Sequence, residues 1–362
     1  MSVSTTSATA RSIGTAHTET VGDLRPVALW LFGCCAMVFG MVVIGGITRL
    51  TWSGLSITEW QPITGVLPPL SHAEWLAEFE KYREIPQYKL LNAGMTLGDF
   101  RMIYLWEYVH RLWGRLIGFV YLLPFLYFLI RGRIPRRLAW PLAAIFVLGA
   151  AQGALGWYMV ESGLADRVEV SQYRLVAHLL LALAIYAATL WIALGLWRGP
   201  ATDDAPSIWR RASEALIALV GLTIAAGGFV AGLNAGLVYN TFPLMDGRLV
   251  PADYAQLHPL LRNWCENVAA VQFNHRLLAM TSLTAVVALW LAGRRGELPR
   301  PAKLALHTLL AAAALQFVLG VSTLLLVVPV PLAAAHQTGA VILLTAAIIA
   351  RHVLRGAPQA IG

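Results

Sequence analysis

The sequence predicts an all-α integral membrane protein of eight transmembrane helices, arranged as two four-helix bundles. Three observations predict it. Of 362 residues, 58% are hydrophobic and only 13% charged, where a soluble domain carries about a quarter. Apolar runs of roughly 20 residues, the length that crosses a bilayer, recur along the whole chain. Those runs also fall into two halves that repeat one another. Each run must be helical, because backbone groups in lipid have no water to bond.

Residues 1–25 are polar and Ser/Thr-rich, and lack the apolar core of a cleavable signal peptide. Glu19 and Asp23 argue against a transit peptide, so the segment is expected to be a cytoplasmic tail. Spans are expected at about 26–48, 103–130, 139–160, 172–196, 213–237, 265–292, 303–327 and 333–354. Between the first two lies segment 49–102, polar and rich in Trp and Pro: Trp52, Trp60, Pro62, Pro68, Pro69 and Trp75. Disordered loops are aromatic-poor, so this one is expected to fold as an outer cap on the membrane interface.

The net charge of +8 does not point to nucleic acid, because the basic residues sit in short connectors. Arg131, Arg133, Arg136 and Arg137 follow the second span; Arg198, Arg210 and Arg211 follow the fourth; Arg294, Arg295, Arg300 and Lys303 follow the sixth. By the positive-inside rule both termini are cytoplasmic, and 49–102, 161–171, 238–264 and 328–332 lie outside. Cys34, Cys35 and Cys265 form no CxxC or metal-type spacing, so no disulfide within the chain and no zinc or iron–sulfur site is expected.

The repeat is explicit in the residues. Gly46–Gly65 reads GITRLTWSGLSITEWQPITG and Gly228–Gly247 reads GFVAGLNAGLVYNTFPLMDG, with four identities at one offset, 182. Tyr108-Val-His110-Arg111-Leu112 matches Phe273-Asn-His275-Arg276-Leu277, Gln152…Gly156 matches Gln316…Gly320, and Val176-Ala-His178 matches Ala334-Ala-His336. Each half holds an even number of spans, so the halves share one orientation and are expected to be related by a pseudo-twofold axis along the membrane normal. The expected units are a bundle at 26–198 with its cap at 49–102, a cytoplasmic linker at 199–212, a bundle at 213–354, and a cytoplasmic tail at 355–362.

Nine histidines occur. His17, His72 and His258 lie in the tail or outer segments, and His307 and His352 near cytoplasmic ends. His110, His178, His275 and His336 each sit just inside the outer end of an even-numbered span. An imidazole in lipid is rare and costly and usually has a partner. A single one would most simply be a hydrogen-bonded core residue; four at one depth, duplicated by the repeat, point to two pairs of axial haem ligands. Zinc fits less well, since no further Cys or carboxylate completes a tetrahedron in each half. Gly114 and Gly118 follow His110 at successive i+4 steps and would leave a groove for a flat macrocycle; close helix packing is the other reading. Arg111 and Arg276 are candidate propionate contacts and equally candidate interface anchors. Glu107, i−3 from His110, is matched by Gln272 in the second half. A carboxylate at membrane depth beside a ligand histidine is a catalytic candidate, although a salt bridge to Arg111 or Arg115 would also explain it. The asymmetry suggests chemistry in the first half and an electron-carrying or structural haem in the second.

The stretches GGITRLTWSGLSITEWQPITGVLPPL, EWLAEFEKYREIPQYK and MTLGDFRMIYLWEYVHRLWGR resemble the haem A synthases, of the form shared by mitochondria and alphaproteobacteria. FNHR around His275 and AHQTGA around His336 also match, and the resemblance covers nearly all of 26–354. It implies an oxidoreductase that converts the C8 methyl of haem O to a formyl group, giving haem A for cytochrome oxidase. His275 and His336 would ligate a resident haem B, His110 and His178 would flank the substrate haem, and Glu107 matches the glutamate implicated in catalysis. Implied partners are membrane lipid, haem O synthase and the cytochrome oxidase assembly route, with an electron donor that the sequence does not identify; a homo-oligomer is compatible with it. The implied location is the bacterial inner membrane. Some bacterial members carry a cysteine pair in the first outer segment; 49–102 has none, which excludes a thiol relay there. The histidine pairs alone fit a two-haem b-type electron-transfer cytochrome equally well. A transporter fits less well, since no Gly/Pro-broken helix pair lies at the midplane.

Overall fold

The computed structural model describes residues 23–61, 65–165, 167–199 and 207–355. The tail up to residue 22, including His17, Pro62 of the cap, linker residues 200–206 and residues 356–362 lie outside the described residues. Eleven α-helices are described: α1 (Arg25–Leu50), α2 (His72–Arg83), α3 (Pro86–Leu91), α4 (Leu97–Ile130), α5 (Arg136–Leu164), α6 (Gln172–Arg198), α7 (Ser207–Gly232), α8 (Asn263–Glu266), α9 (Val268–Arg295), α10 (Arg300–Leu325) and α11 (Val330–Val353). Eight of them, all but α2, α3 and α8, are long and apolar enough to cross a membrane. The chain is a multi-pass, all-α membrane protein.

Most span ends differ from expectation by a few residues, α7 starting six residues early at Ser207 and α5 ending four late at Leu164, and three of the differences have a local reason. α4 begins at Leu97, not near 103, because Thr96 and Asp99 form a reciprocal capping box inside the outer segment. α7 stops at Gly232, and Ala235–Leu237 form a 3-10 turn after Asn234 at φ 50°; the apolar letters continue past the end of the helix. α9 starts at Val268, because the Asn267 side chain accepts from the amides of Ala269 and Ala270.

The helices of each half close the same ring of contacts. α1 packs on α4 and α6, and α5 packs on α4 and α6; likewise α7 packs on α9 and α11, and α10 packs on α9 and α11. The halves meet along α6–α7, α1–α11 and α6–α11. Small residues let these seams close: a Cβ at Gly228 would lie 2.9 Å from Val176 Cγ2, and one at Gly232 2.7 Å from Gln172 Cβ. Polar bonds cross the same seams, from Gln337 Nε2 to the Val42 carbonyl at 2.8 Å and between the Tyr186 and Thr345 hydroxyls at 2.8 Å. At the outer end Arg49 donates to Glu169 at 2.6 Å, to the Ala231 carbonyl at 2.9 Å and to Asn234 at 3.2 Å, while Asn234 donates to Glu169 at 2.6 Å.

The described residues of segment 49–102 are folded, with a core of their own. Leu55, Phe79, Tyr82, Ile85, Phe100, Tyr104 and Val170 are buried together. A capping box at Ser71 and Glu74 starts α2, and α2 packs on the outer turns of α4. The Phe79 and Phe100 rings lie 5.0 Å apart, and Trp75 meets Tyr104 edge-on at 5.0 Å. The cap is thus built around the extra turns of α4 that hydropathy assigns to a loop.

Candidate functional site

His110 lies on α4, His178 on α6, His275 on α9 and His336 on α11. Each ring packs against a glycine of the neighbouring helix. A Cβ at Gly45 would sit 3.1 Å from His110 Nε2, one at Gly156 2.9 Å from His178 Cε1, one at Gly227 3.0 Å from His275 Cε1, and one at Gly320 2.7 Å from His336 Cε1. Gly45 and Gly227 occupy equivalent places in the repeat, as do Gly156 and Gly320. All four imidazoles are therefore seated where any larger side chain would push them.

In the second half, the His275 and His336 ring centroids are 6.4 Å apart, with planes at 82°. Two imidazole nitrogens each about 2.0–2.1 Å from one metal ion place their ring centroids about 6.3 Å apart. His275 Nδ1 lies 3.1 Å from the Thr223 carbonyl; a carbonyl only accepts, so Nδ1 donates and Nε2 keeps its lone pair, the arrangement of a metal-ligating histidine. The His336 ring lies beside the Gln316 backbone, the matching place on α10, while Nδ1 of His178 is buried without a hydrogen-bond partner among the described residues. His110 and His178 lie within electrostatic reach of each other in the first half. The residues present fit an axially ligated haem in the second half, and the first half repeats the histidine pair.

Glu107 is only 2% exposed and is used as an acceptor on both oxygens. Arg111 donates to Oε1 from Nη2 at 2.6 Å and from Nε at 3.0 Å. Ser56 Oγ donates to Oε2 at 2.7 Å, and the Ile57 amide at 2.8 Å. The salt bridge to Arg111 is thus real, and Arg111 is also committed to the cap: Nη2 donates to the Ile57 carbonyl at 2.8 Å and Nη1 to the Glu59 carbonyl at 3.0 Å. Arg276 makes the equivalent bonds, from Nη2 to the Tyr239 carbonyl at 2.6 Å and from Nη1 to the Thr241 carbonyl at 2.7 Å. Both arginines therefore clamp an outer loop to the helix that carries a histidine.

The halves differ on the faces that α4 with α5, and α9 with α10, present. Gly118 on α4 and Gly149 and Gly153 on α5 would each meet nothing within 4 Å with a Cβ added. Their repeat counterparts are Leu283, Ala313 and Phe317. Leu283 packs against the buried core, Ala313 is buried within it, and the Phe317 ring lies 5.9 Å from Phe242. Gly149 and Gly153 are themselves exposed, so the α4/α5 face of the first half is bare of side chains where the α9/α10 face of the second carries Leu283, Ala313 and Phe317. Sequence reasoning found Gly118 but missed Gly149 and Gly153, the ring-facing Gly45 and Gly227, and Ser56. The repeat carried a signal for three of them, with Gly149 facing Ala313, Gly153 facing Phe317 and Ser56 facing Val238; Gly45 and Gly227 face each other as identical letters.

Comparison with known proteins gives one answer. Residues 28–348 match the COX15-CtaA family model, described as cytochrome oxidase assembly protein. The chain is 54% identical to "Heme A synthase" of Nitrosospira multiformis over 334 residues, covering 91% of this chain and 94% of that protein. It is 54% identical over 333 residues to the protein of the same name from Rhodospirillum centenum, covering 91% and 89% of the two chains. It is 46% identical over 356 residues to human "Heme A synthase COX15", covering 96% and 87%. A match of this extent leaves no part of the membrane domain unaccounted for, and the chain belongs to the COX15-CtaA family of cytochrome oxidase assembly proteins.

Proposed function

We propose that the protein is a haem A synthase, oxidising the C8 methyl of haem O to the formyl group of haem A. What carries the reading is the unequal pair of histidine sites in a chain whose relatives bear that name. One half adds a buried carboxylate, Glu107, and a face along α4 and α5 that is bare of side chains; the other has Gln272 and larger side chains at the same places. Substrate and product must enter and leave, so the half with the bare face suits haem O, flanked by His110 and His178. The other half suits a resident haem B held by His275 and His336. The two bundles, 26–198 and 213–354, are read as pseudo-twofold mates, which the shared ring of helix contacts supports.

Oxygen would supply the oxidising power for two successive hydroxylations of the methyl, each taking two electrons and two protons from an external reducing donor and releasing one water, and the gem-diol then loses water to give the aldehyde. The chain's own contribution is ligation, orientation and exclusion of water. Glu107 supplies a fixed carboxylate one helical turn from His110, as proton relay or stabiliser of developing charge. Of the five Arg111 N–H donors, four are engaged by Glu107 and the cap. A propionate at Arg111 would use the remaining Nη1 hydrogen. At Arg276 it would use Nε, which is buried without a partner. The distribution of arginine supports a bacterial inner-membrane location with both termini cytoplasmic.

The test is expression in a bacterium that makes haem O but no haem A, followed by chromatography of extracted haem. Haem A appearing only with this protein is the expected result. Bound haem B with haem O present but never converted would favour the electron-transfer cytochrome and overturn the synthase reading, once a reducing donor system from a haem A-producing host has been supplied.

A further inference from the structure

Ser56 has a role that the histidine pattern does not suggest, and its counterpart in the repeat reveals it. Ser56 corresponds to Val238, Ile57 to Tyr239, and Glu107 to Gln272. In the first half the Ser56–Ile57 peptide turns its N–H toward Glu107, at 2.8 Å, and the Ser56 hydroxyl adds a second donor at 2.7 Å. In the second half the Val238–Tyr239 peptide turns its carbonyl toward the side chain instead. Gln272 Nε2 donates to the carbonyls of Val238, at 2.5 Å, and Ala235, at 2.7 Å. Tyr239 accordingly has a left-handed backbone, φ 53°, whereas Ile57 has none. The arginine bonds are the same on both sides: Arg111 donates to Glu107 and Arg276 to Gln272.

The loop has thus been inverted in polarity to suit the side chain it meets. Two donors face a carboxylate, which only accepts; two acceptors face an amide nitrogen, which only donates. Ser56 is 1% exposed, and its hydroxyl also lies 2.9 Å from the Ser53 carbonyl and 3.3 Å from the Ile103 carbonyl. The hydroxyl has one proton to give, and the carboxylate oxygen of Glu107, the nearest of the three at 2.7 Å, is the strongest acceptor for it.

We propose that Ser56 is a positioning residue for the reaction, holding Glu107 Oε2 in place from the outer cap so that the carboxylate keeps one orientation beside His110. This rests on the synthase reading, in which Glu107 serves the chemistry. A hydrogen bond to a charged group is worth about 1.5–3 kcal/mol, which as a rate is about a tenfold to hundredfold effect.

The experiment uses two substitutions of nearly the same shape. Ser56→Thr keeps the hydroxyl; Ser56→Val removes it and reproduces the side chain at position 238. Full-length protein is expressed in the haem O-producing host, and three quantities are read: haem A formed, bound haem per protein with its absorption spectrum, and melting temperature in detergent. Ser56→Thr is expected to stay within about threefold of wild type, and Ser56→Val to fall at least tenfold, with bound haem, spectrum and melting unchanged in both. Because Ser56 acts through Glu107, Ser56→Val on a Glu107→Gln background is expected to lower conversion no further. Equal conversion by the Thr and Val variants would overturn the proposal, as would a loss in Ser56→Val that merely follows a loss of bound haem or of melting temperature. No haem A from wild type would instead strike the synthase reading, which keeps the two failures apart.

Discussion

Replacing Gly320 by Ala should loosen the haem proposed for the second half. The new Cβ would lie 2.7 Å from His336 Cε1, where carbon atoms in contact stay about 3.5–4.0 Å apart. The ring must retreat by about 0.8 Å, whereas metal–ligand distances tolerate about 0.2 Å. The alternative, a shift of α10 away from α11, disturbs a packed seam and costs about 1–3 kcal/mol. Either way bound haem should weaken by about 5- to 150-fold. Alanine is the better helix former, so any loss is steric and not a failure of α10 to form. The assay is haem per protein after purification in detergent, read with the absorption spectrum for a change of axial ligation. Gly118→Ala and Gly149→Ala, in the other half and with Cβ atoms that meet nothing within 4 Å, are the controls and should leave the content of haem B alone. Full haem content with an unaltered spectrum in Gly320→Ala would refute the reading of His336 as a ligand seated against Gly320.

Three further outcomes follow from the same geometry. Glu107→Gln should retain bound haem but lose haem A production by about a hundredfold or more; full production by that variant would remove the carboxylate from the mechanism. Gly153→Phe, which copies Phe317 onto the bare face of the first half, should abolish conversion with the second-half haem intact, measured as haem A against retained haem B. Arg49→Met should lower the melting temperature in detergent, because Glu169 and Asn234 lose the cation that joins them across the halves; the pair is partly solvated, so the expected cost is about 1–3 kcal/mol, and an unchanged melting curve would count against a bracing role.

The eight spans were legible because lipid imposes length and hydropathy together. Their ends were not, because a helix stops where its backbone is capped and not where apolar letters run out. Thr96 and Asp99 start α4 inside the cap, and Asn234 ends the α7 region in a left-handed turn. The four histidines were legible through duplication. Their seats were partly hidden: the aligned Gly46 and Gly228 lie against the helix of the other half, while the adjacent Gly45 and Gly227 face the rings. In a Gly-Gly pair the letters are identical and only helical phase assigns the roles. The polarity of the outer loop was hidden more deeply, since the orientation of one peptide unit is not written in the side chains that flank it.

That hidden peptide bears on how one repeat could serve the two tasks proposed for its halves. Both halves keep the histidine pair, the glycine seats, the ring of helices and the arginine that grips the loop. A carboxylate placed at 272 alone would face the carbonyls of Val238 and Ala235, acceptor against acceptor, and an amide at 107 alone would face the Ile57 N–H, donor against donor. Buried at 2% exposure, either mismatch leaves polar groups without water to turn to, at about 1–3 kcal/mol each. The side chain and the loop therefore have to change together. Gln272→Glu is accordingly expected to destabilise the second half without creating a second reactive site, read as lowered melting and haem loss with no gain in haem A; new activity from that variant would show that the carboxylate alone, and not its matched loop, makes the difference.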